Sequence, residues 1–277
     1  YYDYLKTLEI EKVLVNTMEI LEENLRVNQS LFRNDKITRD AVLRSQAEIS
    51  GLKKEMANIE KARNTAAAYF NFLLNRGLDE PIIREAPPEM IIPPELEEAS
   101  KNALMTREEL SKLEYYEEMA GNNLKMEKSS RAPDLTAVVD YGFQGEEYSF
   151  TPDDDFVMAS VVLSWDIFKG LQNRAKIAQS KIALEKAKVQ QEETEELIRL
   201  EVINAWYELN AAGKSITASE ERFKSAASAF RMVEKRYNLG QAPLIEYMDA
   251  RKEMTNAEIE KVISRYDYFS AWSAFEK

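Results

Sequence analysis

RYNLGQAPLIEYMDARKEM, residues 236–254, decides the fold. Gly240 suits a turn that requires positive φ, and Pro243, which has no N–H to donate, suits the first turn of a new helix. Upstream, Leu209, Ala212, Ile216, Ser219, Phe223, Ala226, Phe230, Val233 and Tyr237 step by three and four without a break. Downstream, Ile245, Met248, Lys252, Thr255, Ile259, Val262, Tyr266, Phe269 and Ser273 do the same. These are two coiled-coil seams running in opposite directions from one turn. The expected unit is a long antiparallel helical hairpin whose tip carries Arg236, Tyr237, Glu246 and Asp249.

The start of the chain repeats this pattern. Leu14, Met18, Leu21, Leu25, Asn28 and Phe32 form one stripe up to RNDKIT. Val42, Ser45, Ile49, Leu52, Met56, Ile59, Ala66, Phe70 and Leu73 form the returning one, with Arg63 as an exception on it. Gly77 is the expected C-terminal cap. At an offset of 205 residues, Leu25 matches Phe230, Arg26 matches Arg231, Phe32 matches Tyr237, Glu48 matches Glu253 and Phe70 matches Phe275. The tips coincide at the same offset, which reads as an internal structural repeat. Both tips, near Asp35 and Gly240, are expected at the same end.

Between the repeats the periodicity changes twice. DEPIIREAPPEMIIPP, residues 79–94, holds five of the eight prolines and reads as an extended connector. Thr106 and Glu109 of TREEL have capping-box spacing, so a helix is expected from there to about Lys128. Then Leu135, Ala137, Val139, Tyr141 and Phe143 alternate with polar or small residues. After the polar loop GEEYSFTPDDD, Val157, Ala159, Val161, Leu163, Trp165 and Ile167 alternate in turn. Two strands of this kind make a β-hairpin. A strand of about ten residues is also the length of a tilted membrane strand, and the aromatics suit an interface. A hairpin packed on a helical core fits the alternation equally well. From Gly170 to Asn238 no proline interrupts the chain, and a helix of that length spans roughly 100 Å. Gly213 within it marks a candidate bend or a change of packing partner. The divisions are residues 1–78, first helical hairpin; 79–105, connector; 106–132, helix toward the β-hairpin; 133–169, β-hairpin; and 170–277, second helical hairpin.

Composition narrows the function. With 49 acids against 37 bases, the net charge of −12 disfavours nucleic acid as a partner. The absence of cysteine and histidine removes disulfides, zinc sites of the usual kind and Ser-His or Cys-His catalysis. Carboxylate pairs are plentiful, but no nucleophile or phosphate-binding loop accompanies them, so no enzyme, cofactor or metal site is expected. No stretch approaches the ~20 apolar residues of a membrane helix. No signal peptide is evident, and the chain opens already in helical periodicity, so it reads as part of something longer.

Three motifs, in order along the chain, resemble the TolC family of outer-membrane efflux proteins. RAPDLTA (131–137) is similar to the family's entry into its strands, with Ala132 in place of Leu. LSWDIFKGLQNRAKIAQSK (163–181) resembles its strand-to-helix junction. RYNLGQAPLIEYMDARKEM resembles its periplasmic tip. The resemblance covers essentially the whole chain. It implies a mainly α protomer of long coiled-coil hairpins carrying one β-hairpin of a membrane β-barrel. It also implies a homotrimer in the bacterial outer membrane with helices extending into the periplasm, working with a periplasmic adaptor and an inner-membrane pump in efflux or type I secretion. The helices and strands the family places earlier are expected before Tyr1, which makes this an N-terminally truncated fragment.

Residue by residue, the resemblance puts Glu246 and Asp249 at the family's pore-narrowing acids and Tyr237 at a tyrosine that holds the entrance closed. Ala242 stands where a basic partner is expected. In the first repeat the acidic position falls on Ala41, with Asp40 beside it. Arg236, Asn238, Leu239, Gly240, Asn34, Asp35 and Lys36 are the expected adaptor-facing tip. Leu135, Val139, Tyr141, Phe143, Val161, Leu163 and Trp165 are expected to face lipid. Lys252 and Asn28 interrupt their stripes, which marks them as weak points where the tip should open. Two other readings compete. A periplasmic adaptor also uses helical hairpins but wraps one of them in Gly- and Val-rich β-domains. A soluble coiled-coil scaffold would treat the β-hairpin as an embellishment.

Overall fold

A computed structural model describes residues 1–85, 88, 90–145 and 155–277. The chain forms α1 (Tyr2–Arg33), α2 (Arg39–Leu73), α3 (Leu96–Thr106), α4 (Glu108–Ser129), β1 (Asp134–Phe143), β2 (Asp155–Ser164), α5 (Gln172–Asn238) and α6 (Leu244–Glu276). It divides into two compact units, one of residues Tyr1–Leu96 with Val202–Lys277 and the other of Glu97–Glu201. Most of the expected polar loop between the strands, and part of the proline-rich connector, lie outside the described residues. Among the described residues no helix is long and apolar enough to cross a membrane.

In the first unit the repeat is visible in the backbone itself. α1 ends at Arg33 and α5 at Asn238, while α2 starts at Arg39 and α6 at Leu244, so both tips keep the offset of 205. The turns share one hydrogen-bond pattern. Asp35 N–H donates to Phe32 O and Lys36 N–H to Leu31 O, at 3.0 and 2.9 Å. Gly240 N–H donates to Tyr237 O and Gln241 N–H to Arg236 O, at 2.9 and 2.8 Å. This is the Schellman closure, which needs a left-handed residue just past the helix. Asp35 supplies it at φ 52 and Gly240 at φ 70. The C-terminus of α2 closes the same way, but not through Gly77. Asn75, at φ 54, takes the left-handed place, with Arg76 N–H donating to Asn71 O at 3.0 Å. Gly77 instead donates its N–H to Glu80 Oε1 at 2.9 Å.

The core of this unit lies where α6 packs between α1 and α5. Leu5 and Leu8 of α1, Leu209 and Ile216 of α5, and Tyr266, Tyr268 and Phe269 of α6 form one buried cluster. Ile10, Leu14 and Leu52 form a second, packed against Ile259, Val262 and Ile263. The upstream seam is buried or half-buried from Leu209 to Tyr237. The downstream seam is corrected. Thr255, Ile259, Val262, Tyr266 and Phe269 pack into the core shared by α1, α2 and α5, and further contacts to α5 come from another face that includes Tyr247, Arg251, Ser264 and Tyr268. Ile245, Lys252 and Ser273 are exposed. A helix buried on two sides carries more than one stripe, and the three-and-four rule finds either stripe without saying which neighbour it meets. α5 is unbroken through Gly213, where an added Cβ would meet only the Tyr268 ring, at an ordinary contact distance of 3.7 Å, so the packing there does not demand a glycine. Arg63, the exception on the α2 stripe, holds both carboxylate oxygens of Glu11 on α1 at 2.7 Å.

The connector is tied down by aromatic and amide donors. Tyr1 Oη donates to Ile83 O at 3.3 Å and accepts from Glu85 N–H at 2.8 Å. Trp206 Nε1 donates to Pro94 O at 3.0 Å, Tyr268 Oη donates to Ile91 O, and buried Asn71 donates to Glu80 O at 2.8 Å. A proline-rich segment has few N–H groups but keeps its carbonyls, and side-chain donors satisfy them.

In the second unit, α3 lies within the stretch read as connector. Thr106 closes α3, donating its hydroxyl to Asn102 O at 2.9 Å, so the capping box does not form. Arg107, with an extended backbone and no side-chain cap, starts α4 instead, and its guanidinium reaches Glu201 at 2.9 Å. β1 and β2 pair antiparallel with Leu135 opposite Leu163, Ala137 opposite Val161, Val139 opposite Ala159 and Tyr141 opposite Val157. The two alternating rows thus share one face. Val139 and Val161 are 73% and 72% exposed, so this face covers no core in the chain as it stands.

Candidate functional site

The two tips of the first unit lie side by side and are joined by a polar clasp spanning four helices. Asn28 of α1 is its hub and is 1% exposed. Its amide nitrogen donates to Asn24 Oδ1 at 2.8 Å and to Ser45 Oγ of α2 at 2.9 Å. Its carbonyl oxygen accepts from Tyr237 Oη of α5 at 3.4 Å. Tyr237 stacks on Tyr247 of α6, with ring centroids 4.7 Å apart and planes at 24°, and Tyr247 is hydrogen-bonded in turn to Asn24. Burial pushes both tyrosine hydroxyls up, aided at Tyr237 by the neighbouring Tyr247. At Tyr247 the Arg251 charge and Asn24 pull the other way without reversing the shift. Asn28 is therefore not the weak point that an amide on an apolar stripe suggests. A buried amide with partners on two other helices fixes their register.

The contacts sort into two classes. Within each hairpin they are short: Asn28 to Ser45 at 2.9 Å in the first, and Arg236 Nη1 to Glu246 Oε1 at 2.6 Å in the second. Between the hairpins they are long: Tyr237 to Asn28 at 3.4 Å near the tips, and Thr17 Oγ1 to Thr255 Oγ1 at 3.5 Å midway along α1. Far from the tips the tie shortens again, with Lys6 Nζ 3.0 Å from Asp267 Oδ1. A cavity of about 390 Å³ opens behind the clasp between α1, α2 and α6, lined by Asn24, Glu48, Glu55, Arg251 and Lys252 among others. Arg251 is buried there with its Nε unpartnered and its guanidinium 5.2 Å over the Phe230 ring. Burial lowers its affinity for its proton, against the Tyr247, Glu234 and Glu258 charges.

The expected gate acids separate. Glu246 does not present a free carboxylate, because Arg236 holds it across the turn at 2.6 and 3.5 Å. This arginine is the basic partner within the tip, on the opposite side of the turn from Ala242. Asp249 is exposed and forms no ion pair among the described residues. Asp40 is exposed and accepts from the Thr38 hydroxyl, which holds its carboxyl below the ordinary value, with Arg44 3.8 Å away. Asn34, Asp35, Lys36, Asn238, Leu239 and Gly240 are all exposed at the tips, Leu239 to 62%. Sequence reasoning placed Tyr237 in the site but missed Asn24, Ser45, Tyr247 and Arg251 as its companions. The available signal was two polar residues, Asn28 and Ser45, on apolar stripes of adjacent helices.

A family model for outer membrane efflux proteins matches residues 99–277. The outer membrane efflux protein BepC of Brucella suis biovar 1 (strain 1330) is 21% identical over 273 residues, covering 96% of this chain and 58% of BepC. The chain thus spans little more than half of that relative's length. Among solved structures, the outer membrane protein VceC of Vibrio cholerae is similar with a TM-score of 0.84 at 16% identity, covering 99% of this chain and 66% of VceC. The open state of the Neisseria gonorrhoeae MtrE outer membrane channel gives a TM-score of 0.78 at 18% identity, covering 99% and 64%. The fold is that of these outer-membrane channels.

Proposed function

The chain belongs to the outer membrane efflux protein family, and from that membership we propose that it forms part of a passive export duct gated at the paired tips. In the full-length homotrimer, the exposed face of β1 and β2 joins a β-barrel in the outer membrane, with Leu135, Val139, Tyr141, Phe143, Val161, Leu163 and Trp165 toward lipid. The helices extend into the periplasm, where the tips meet a periplasmic adaptor bound to an inner-membrane pump. Energy for export comes from the pump, and this chain has no catalytic step.

The observation that carries the gate is the contrast at the tips between the short bonds within each hairpin and the long Tyr237–Asn28 bond between hairpins. Each hairpin moves as a body. Opening costs the Tyr237–Asn28 bond and the Asn24–Tyr247 contact, while the Tyr237–Tyr247 stack travels with the second hairpin. An adaptor segment that binds the separated tips, through Asn34, Asp35, Lys36, Arg236, Asn238, Leu239 or Gly240, shifts this equilibrium. The family member MtrE, solved in an open state, fits a fold with two tip arrangements.

In the closed arrangement the effective pore charge is Asp249, because Arg236 neutralises Glu246. Three copies of an acid around one axis attract multivalent cations. The test is conductance of the full-length trimer in a planar bilayer, with a trivalent cation on the tip side. Asp249→Ala is expected to remove most of the block. Glu246→Ala should change it little, and Arg236→Gln should deepen it by releasing Glu246. Unchanged block in Glu246→Ala/Asp249→Ala would place the constriction elsewhere.

A further inference from the structure

Where β2 gives way to α5, the chain exposes an apolar patch rimmed with cations. Trp165, Ile167, Phe168 and Leu171 are 59, 80, 80 and 66% exposed. With Arg131, Lys169 and Arg174 they line a concave site of about 310 Å³, which also includes Asp166. Lys169 is paired to Asp166, but Arg131 and Arg174 form no ion pair among the described residues, so the site keeps two free guanidiniums. Trp165 Nε1 donates to Arg131 O at 3.3 Å, which ties the end of the second strand to the segment leading into the first. Leu171 stands at φ 68, directly after Gly170 at φ 56. A bulky side chain in the left-handed region is an outlier, and the inference runs from such an outlier to function. Here the outlier leaves an isoleucine, a phenylalanine and a leucine uncovered beside two arginines, which suits neither a soluble surface nor a packed core.

We propose that this junction is a binding site for the phosphodiester headgroup of an anionic phospholipid. The patch is continuous with the apolar face of the hairpin through Trp165, so lipid tails and the strand face share one nonpolar layer. The two guanidiniums sit at the edge of that layer, where a headgroup lies. A guanidinium fork matches phosphate oxygens, and tryptophan with a polar N–H is suited to the membrane–water boundary. Ile167, Phe168 and Leu171 insert beside the acyl chains, and Arg131 and Arg174 hold the phosphate. Paired Lys169 sets the rim without adding net charge. This inference rests on the outer-membrane reading above.

The experiment uses the full-length protein reconstituted in nanodiscs of mixed phosphatidylcholine and phosphatidylglycerol, then extracted and analysed for retained lipid by native mass spectrometry. Each guanidinium near an anionic headgroup is worth roughly a fivefold preference, so the wild type should retain phosphatidylglycerol over phosphatidylcholine by on the order of twentyfold. Arg131→Gln/Arg174→Gln should bring the ratio close to one, and Arg131→Lys/Arg174→Lys should restore only part of it, because charge returns without the fork. Equal retention in wild type and the Gln variant overturns the proposal. So does displacement of the retained lipid by inorganic phosphate, which would make this a free-anion site. A protein that reaches the outer membrane and conducts but shows no lipid preference sinks this inference alone. One that fails to enter a bilayer sinks the export-duct reading with it.

Discussion

The tip of the first hairpin and the tip of the second have the same backbone and different chemistry. Both close through a Schellman turn, and both restart on a residue of extended backbone, Thr38 at ψ 159 and Pro243 at ψ 156. At the offset of 205, however, Asn28 corresponds to Val233, Ser45 to Ala250, Val42 to Tyr247 and Gln46 to Arg251. The first tip supplies the buried amide and hydroxyl of the clasp, and the second supplies the aromatic stack and the buried guanidinium. Duplicated geometry has thus been divided into a socket and a plug. The backbone repeat makes the tips fit together, and the side-chain asymmetry lets one hairpin grip the other.

The largest effect should come from erasing that asymmetry at the hub. Asn28→Val makes the first tip resemble the second. It leaves the Tyr237 hydroxyl without its acceptor and Asn24 without its donor, while Ser45 keeps its bond to Ala41 O at 3.2 Å. Unsatisfied buried polar groups cost about 1–3 kcal/mol, so amides around the tips should exchange roughly ten- to a hundredfold faster. Native-state hydrogen exchange on the full-length protein checks this. Unchanged protection would mean that apolar packing alone holds the tips.

A smaller effect should follow from exchanging the left-handed residues. Gly240 has open space where a Cβ would stand, so Gly240→Asp meets no clash and is penalised only by backbone conformation. That penalty is about 1 kcal/mol or less, because Asp tolerates this region better than most residues. Asp35→Gly should be stabilising by a similar amount. Opposite shifts in thermal midpoint are expected, and shifts of the same sign would show that the two turns are not equivalent in the folded protein.

Helix existence and the repeat were legible in the sequence because they depend on periodicity and on turn residues, which are local. The β-hairpin and its single apolar face were legible too, since the rows on both strands have period two. Partner identity was not. The stripe Thr255–Phe269 is real, but α6 is buried on two sides, and a one-dimensional pattern does not say which neighbour meets which stripe. Asn75 rather than Gly77 closes α2, because asparagine also enters the left-handed region and the helix ends two residues earlier than the nearest glycine suggests. The Thr106 capping box failed because Thr106 terminates a helix of its own. In the site, the turn reading put Tyr237, Glu246 and Asp249 at the tip, and the family resemblance supplied the roles expected of them. The Arg236–Glu246 pair spans the turn, and the clasp joins residues as far apart as Asn28 and Tyr237, so neither follows from spacing along one helix.

The smallest effect separates the aromatic half of the clasp from the amide half, and pH is its lever. Tyr237 and Tyr247 are held neutral by burial, with pKa values above the ordinary 10.0. In the open state both are solvated and ionise near that ordinary value. A group whose folded pKa is raised contributes stability that is complete below the open-state value and is lost as pH rises through the folded one. The tips should therefore separate as pH climbs above about 10, the reference tyrosine value, through the second hairpin's residues alone, because the first tip has Phe32 where the second has Tyr237. Spin labels at Asp35 and Gly240, read as a distance across the alkaline range, report the separation. Tyr266 and Tyr268 are also raised by burial but belong to the core cluster with Leu5 and Leu8, so they set a background common to every variant. Tyr237→Phe/Tyr247→Phe should keep the tips together to higher pH, while costing only about 1 kcal/mol at neutral pH, because the Tyr237–Asn28 bond it removes is a long one and half-buried Asn24 can turn from Tyr247 to water. If the double variant opens at the same pH as the wild type, the alkaline transition belongs to the core tyrosines and the clasp is held by Asn28 and Ser45 without help from the aromatic pair.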